Sequence, residues 1–575
     1  MSKHSKKAQS KRAEIEGSSD EAGGELSSLR QSPLPGSRQT TARLGVALPV
    51  VALALAAFAV YSNALSGEFV YDDKIQIVKN SWLWNVPSIP TVFLQNAWAF
   101  QSATTITNYY RPLMQCVYIL TYQLSGLHPL GFHLVNVFFH CAVTILVFLT
   151  LRRLVPEQRA ASVYLSAPFL AAILFAAHPI HTEAVTWIGG LPDVAFTFFS
   201  LLSFYLYIRS KSCAAACYLG SLACFAIAAL FKEPALTLPA ILFAYDFTCR
   251  EQRPALLECV KRYVPFLFIG VAYLALRIYA LKGFAPAKSH PLLSSYLDAI
   301  NVFPLFAQYL GKLVLPVDLS AYYVLHPVNS LAEWKALLSM LVTIAFVALA
   351  ALAFKKNKAA LLGMVFIVVP LLPALYIPAV GENTFAERYL YLPSVGFALL
   401  VALFLSWAGK QLPDGTKVVA AAVILLAGTY AVATVTRNKV WQNEYSLWTD
   451  TIAKSPDSTV ALNNLGIFYR HHNMPGKAIE QFQTIIRVNP YDASAHGNLG
   501  LLYRDIRSYD QALKEMQTAE ALAPDSAAAH YNLGLLYCDL GMKDNARIEL
   551  TTALSLAPND QDVQQLLSTL SHEAN

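Results

Sequence analysis

Apolar stretches of membrane-crossing length dominate this chain and leave it one broad architectural option. Residues 44–436 hold about eleven of them, near 44–65, 129–151, 162–178, 193–209, 213–231, 234–248, 261–281, 335–354, 360–378, 388–408 and 417–436. A helix needs about 20 apolar residues to cross the hydrocarbon. Composition agrees: 55% of the 575 residues are hydrophobic and 14% charged, where soluble domains run near 25% charged. The expected fold is all-α, a polytopic membrane helix bundle with soluble mass attached. A net charge of +6 is too small and too scattered for a nucleic-acid binder. The eight cysteines sit mostly inside apolar runs and form no CxxC pair, so neither a disulfide framework nor a zinc site is indicated.

The flanks differ from this middle. Residues 1–43 are rich in Ser, Lys, Glu and Gly without apolar periodicity, the composition of a disordered tail, and its basic residues favour the cytoplasmic side. Arg152 and Arg153, Arg209 with Lys211, Arg250 with Arg253, Lys355 to Lys358, and Lys410 with Lys417 alternate as cytoplasmic loops under the positive-inside rule. That alternation requires 282–334 to lie wholly on the far side, with any helix near 299–315 interfacial or re-entrant. Residues 437–575 then end on the far side too. There NLGIFYR, NLGLLYR and NLGLLYC begin at Asn464, Asn498 and Asn532, and Pro456, Pro490, Pro524 and Pro558 keep the same step of 34 residues, the tetratricopeptide period. Three repeats and a capping helix over 560–571 form an α-solenoid.

Chemistry is expected where polar groups collect against the far face. Asp72 and Asp73 follow the first span in FVYDDK. One could take a proton from an acceptor hydroxyl while the other orients it; a solvated turn with Asp73 as N-cap is the competing reading. HPIHTEAVTW gathers His178, His181 and Glu183, which suit a metal, a phosphate, or hydrogen bonding within the loop. Lys232 and Glu233 in FKEPALTLPA, Glu387 and Arg388 in ERYLYLPSVGF, and Arg111 in NYYRPL place cations against the positive-inside trend. An anionic headgroup accounts for them, and so do ion pairs holding helix ends. Arg277 reads equally as a snorkelling interface residue, and Asp246, at the opposite face, as structural. Aromatic runs such as YLYLP read as interface belts and packing, with a sugar platform as the sharper alternative. No Walker A, GxSxG or HExxH motif occurs, so nucleotide hydrolysis and serine or zinc proteolysis lack support.

FVYDD at 69–73, HPIHTEAVTW at 178–187, FKEPALTLP at 231–239 and ERYLYLPSVGFALL at 387–400, followed by the repeats, resemble the transmembrane-and-tetratricopeptide O-mannosyltransferase family and its bacterial relatives. The likeness runs from 44 to about 570. It implies the GT-C glycosyltransferase fold and a polyprenyl- or dolichyl-phosphate sugar as donor. It also implies an acidic pair at Asp72 and Asp73, with His178, His181, Glu183, Lys232, Glu233, Glu387 and Arg388 as cleft residues. In one place the chain departs from the pattern: GGLPD has Leu191 and Pro192 ahead of Asp193, where the family often carries an Arg.

The function these features imply is transfer of a sugar, mannose being the family's, from a polyprenyl-phosphate donor to a hydroxyl, Ser or Thr of a polypeptide, with inversion. A lipid phosphate is already a good leaving group. The enzyme then needs one carboxylate base, Asp72 with Asp73 positioning the acceptor, and cations for the departing phosphate. Arg388, Lys232 and Arg111 are the candidates, assisted by His178 or His181, with Glu183, Glu233, Glu387 and Asp193 supporting. No cofactor is required, and a divalent metal is compatible but unnecessary. The repeats are expected to hold the acceptor polypeptide or a partner protein. The rival readings are a GT-C enzyme acting on a lipid or glycan, and a non-catalytic membrane scaffold recruiting envelope or secretory partners. No Asn-x-Ser/Thr acceptor occurs, which favours a bacterial inner membrane with periplasmic repeats over an endoplasmic reticulum with luminal ones.

Overall fold

Proline, serine and asparagine placed just ahead of apolar runs set where this chain turns helical. The computed structural model describes residues 35–101, 107–155, 162–249, 255–284, 294–379, 384–558 and 560–572. Proline occupies the first turn of the helices Pro112–Ser125, Pro129–Leu154, Ala167–Ala177, Leu191–Phe231, Leu238–Thr248 and Pro393–Gly409, where its missing N–H has no partner to lose. Ser294 and Asn357 cap Ser295–Val314 and Lys358–Leu371 through their side chains. Of the tail expected at 1–43, residues 1–34 lie outside the described residues. From Pro35 to Tyr61 the chain is helical.

The chain is a polytopic membrane helix bundle followed by a tetratricopeptide α-solenoid, and every expected apolar stretch contains a helix. Six helices are long and apolar enough to cross a membrane: Val46–Ser66, Pro129–Leu154, Ile188–Ser210, Leu257–Leu281, Trp334–Lys356 and Gly415–Gln442. A seventh results if Ala167–Ala177 and Pro179–Thr186, bent by 51°, act as one. Ala215–Phe231, Lys358–Leu371 and Pro393–Gly409 are shorter apolar helices, and Leu238–Thr248 has 11 residues. Among the described residues the eleven expected stretches thus comprise six or seven long helices interleaved with shorter ones.

Two contacts show how the bundle closes. Ser203 Oγ donates to Ser221 O at 2.7 Å and Ser221 Oγ to Ser203 O at 2.8 Å, yet 18 residues of straight helix would hold them about 27 Å apart. Leu191–Phe231 therefore doubles back on itself as two antiparallel helices, the fourth and fifth expected stretches. A Cβ on Gly396 would meet Gly363 O at 2.1 Å. Lys358–Leu371 and Pro393–Gly409 consequently touch backbone to backbone, as small residues allow in membrane bundles.

From Leu53 to the end the chain forms one compact unit, so bundle and repeats share a seam. Trp441, Leu447 and Trp448 are buried with Val70, Trp187 and Ala321 in one apolar core. Asn438 Nδ2 donates to Val60 O (3.0 Å) and Asn63 Oδ1 (2.8 Å), and its Oδ1 accepts from Thr186 (2.7 Å). Arg437 pairs with Asp450, and Lys454 donates to Leu319 O at 2.7 Å. His326 bonds Asp457 at 2.9 Å. These last contacts bring the segment after Ser295–Val314 onto the repeat side, where the charge pattern puts it.

Each repeat rebuilds the same helix pair. Thr459–His471 packs on Pro475–Val488, Ala493–Asp505 on Tyr509–Leu522, and Ala527–Asp539 on Lys543–Leu556, with Gln561–His572 covering the end. Ser458, Asp492 and Ser526 cap the three first helices. A Cβ at Gly466 or Gly534 would crowd the ring of Phe482 or the Leu550 side chain at 2.7 and 2.8 Å, which is why glycine recurs there. Arg470 pairs with Asp505 and Arg504 with Asp539, one repeat further on; at this exposure each is worth about 0–1 kcal/mol.

Trp448 is fully buried, with its ring 5.1 Å from that of Tyr71. Trp448→Ala is expected to cost about 3–5 kcal/mol. Hydrogen exchange in detergent should then show faster exchange across 444–488 and unchanged protection in Pro129–Leu154. Unchanged exchange over 444–488 would mean the seam does not hold the repeats.

Candidate active site

Burying a charge at the edge of a bundle is tolerable only where an opposite charge or a set of dipoles meets it, and this condition organises the repeat-facing end. His178 lies at the break after Ala167–Ala177. Its Nδ1 accepts from Ile180 N (3.2 Å) and its Nε2 bonds Leu313 O (3.0 Å), which turns the chain so that Glu183 faces inward. Glu183 is 1% exposed and grips Arg388 twice, accepting from its guanidinium and, at 2.8 Å, from its backbone N–H. The Arg388 guanidinium also lies 5.4 Å from the Trp187 ring and 5.2 Å from the Tyr389 ring.

A second pair stands beside the first. Lys232 Nζ contacts Asp193 Oδ1 with both side chains 1% exposed, and Nζ lies 4.7 Å from the same Tyr389 ring. Burial pulls the Lys232 ammonium down to about 8 against the pull of Asp193. Arg111 stacks 4.6 Å over Tyr109, and its charge and that of Lys232 overcome burial to hold Glu233 below its ordinary value. Asp193 therefore serves as the partner of Lys232 despite the Leu191–Pro192 departure ahead of it.

The twin aspartates divide. Asp73 is 1% exposed and accepts from Gly189 N at 2.9 Å and Val70 N at 3.3 Å; it ties the first outer turn to the segment after Trp187. Asp72 is half-buried, and its carboxylate has no hydrogen-bond partner among the described residues. Burial, opposed by the nearby charges of Arg388 and Arg111, leaves it at about 6. Tyr71 takes a left-handed backbone, φ 56°, unusual for a bulky residue, with its ring 5.5 Å from Trp187 and 5.1 Å from Trp448.

The structure thus brings Asp72, Arg111, Glu183, Asp193, Lys232, Glu233 and Arg388 to one place. His178 and His181 lie alongside. Both ring nitrogens of His178 are bonded within the chain, and His181 Nε2 bonds Ser394 Oγ at 2.7 Å. Glu387 turns away from Arg388. Its Oε1 accepts from Ser320 N and Tyr323 OH, both at 2.6 Å, and burial pushes it up to about 7. Arg277 donates to Asn108 O at 2.9 Å. Asp246 accepts from Tyr207 and Tyr263, in keeping with a structural role. No group of three His, Cys, Asp or Glu among the described residues is placed to hold a metal.

Tyr71, Trp187 and Tyr389 escape a reading of the sequence, as does His140, whose Nδ1 bonds Tyr391 OH at 2.7 Å. The usable signal for Tyr389 was an aromatic next to Arg388 within a turn. Glu183→Ala would strand the Arg388 guanidinium, and breaking a buried pair costs about 3–5 kcal/mol. Thermal unfolding in detergent should show a lower midpoint for Glu183→Ala than for Glu183→Ala/Arg388→Leu. Equal midpoints would mean that Arg388 is solvated rather than paired.

Comparison with known proteins gives this arrangement relatives. A tetratricopeptide-repeat family model matches residues 498–561. The chain is 26% identical to protein O-mannosyl-transferase F38B6.6 of Caenorhabditis elegans, over 75% of this chain and 61% of that protein. It is 27% identical to human protein O-mannosyl-transferase TMTC3, over 76% and 51%, and 27% identical to human protein O-mannosyl-transferase TMTC1, over 80% and 58%. The chain thus spans between about half and three-fifths of the length of these relatives. Over about three quarters of its length the chain is thus similar to proteins named protein O-mannosyl-transferases.

Proposed function

We propose that this chain is an integral-membrane glycosyltransferase of GT-C type. It moves a sugar, mannose by analogy with its relatives, from a polyprenyl-phosphate donor to a Ser or Thr hydroxyl of a polypeptide. The observation that carries the reading is one half-buried carboxylate without a hydrogen-bond partner, Asp72, facing the Arg388 and Arg111 charges. Asp72 accepts the hydroxyl proton as the acceptor oxygen bonds the anomeric carbon. The bond from that carbon to the phosphate oxygen breaks, and its electron pair leaves with the lipid phosphate. Arg388, Lys232 and Arg111 stabilise the charge that develops there. A single displacement with one base inverts the anomeric centre.

Asp73, with its oxygens held by backbone N–H groups, fixes the turn that aims Asp72. Glu183, Asp193 and Glu233 hold the cations in place. No cofactor enters the scheme. The lipid tail lies between helices, and the repeats, joined to the same turns through Trp441 and Trp448, present the acceptor polypeptide. Active site and repeats face away from the cytoplasm, on the periplasmic side of a bacterial inner membrane.

Asp72 must be ionised to act as base, so turnover should fall about tenfold per pH unit below pH 6 and level off above it. Asp72→Asn should lower turnover by about a thousandfold or more while thermal unfolding is unchanged. Transfer from polyprenyl-phosphate [3H]mannose to a Ser/Thr-rich peptide measures both. Full activity in Asp72→Asn would take Asp72 out of the scheme as base, and a wild type that transfers no mannose would favour the scaffold.

A further inference from the structure

The Tyr389 ring has no place in the scheme above, although it is the surface that two of its cations share. Lys232 Nζ lies 4.7 Å and the Arg388 guanidinium 5.2 Å from its centroid. Two like charges that close repel, and each also has a carboxylate of its own, Asp193 or Glu183, toward which it can withdraw. An aromatic face attracts both cations through its quadrupole, by about 0.5–2 kcal/mol each. It does so without neutralising them, as a third carboxylate would. Tyr389 is only partly buried as a residue. Its neighbours in YLYLP behave differently: Leu390 and Tyr391 are fully buried, and Tyr391 bonds His140.

We infer that Tyr389 is a positioning residue for the donor, holding Lys232 and Arg388 at the separation that grips one lipid-linked phosphate. The inference rests on the glycosyl-phosphate reading and names the residue that makes its two cations act together. The ring carries the effect, not the hydroxyl, for which no hydrogen bond appears among the described residues. Losing the ring lets each cation fall back on its own carboxylate. Preference for phosphate then drops while the apolar groove for the lipid is kept.

The test compares polyprenyl phosphate with the uncharged polyprenol as ligands for the full-length protein in detergent, by native mass spectrometry. The wild type should prefer the phosphate. Tyr389→Phe should keep that preference within about twofold, and Tyr389→Leu should reduce it about tenfold with polyprenol binding unchanged. A merely structural loss would weaken both ligands together. Equal loss of both ligands in Tyr389→Leu overturns the inference, as does a retained preference. Tyr389→Phe matching Tyr389→Leu would transfer the role to the hydroxyl and overturn it as well. A wild type indifferent to the phosphate would instead bring down the glycosyl-phosphate reading and this inference with it.

Discussion

Everything at the repeat-facing end depends on how Glu183 holds Arg388. An isolated guanidinium there would lose its solvation, and an isolated carboxylate would take up a proton. Paired through both side chain and backbone N–H, the two keep their charges and join segments about two hundred residues apart. The Lys232–Asp193 pair repeats the solution between the two ends of a folded-back helix. Such pairs contribute little net stability once desolvation is counted. What they provide is cations held at fixed positions in a place that otherwise excludes charge, and Asp72 lies near them.

Much of this was legible in the sequence because the bilayer and the tetratricopeptide unit both impose periods. The apolar stretches foretold helices, and the step of 34 residues placed Gly466, Gly500 and Gly534 where paired helices touch. The motif residues Glu183, Lys232 and Arg388 converge because charges near apolar runs have few other ways to be accommodated. Where each helix ends was less legible, since hydropathy measures apolar content and not where a polar turn ends a helix. His178 shows the other limit: nothing in its spacing tells that its ring caps a turn and bonds the distant Leu313 carbonyl. The different settings of Asp72 and Asp73, one without a side-chain hydrogen bond among the described residues and one held by two backbone N–H groups, are not encoded in composition or spacing.

The aromatic seam links two functions that the sequence presents as separate domains. Tyr71 touches both Trp187, beside Arg388, and Trp448, in the first helix of the repeat region. Trp187 also stacks on Trp441 at 6.0 Å. The residue preceding Asp72 is therefore packed between the cation cluster and the array, so Asp72 and the repeats share one support.

Because the array is fastened at Trp441–Trp448 and each later repeat contacts only its neighbours, it behaves mechanically as a cantilever. Bending at successive helix pairs accumulates outward, so compliance is smallest beside Asp72 and greatest near Gln561–His572. A polypeptide lying along it would be searched loosely at the tip and held stiffly at the root, where alignment with the donor matters most.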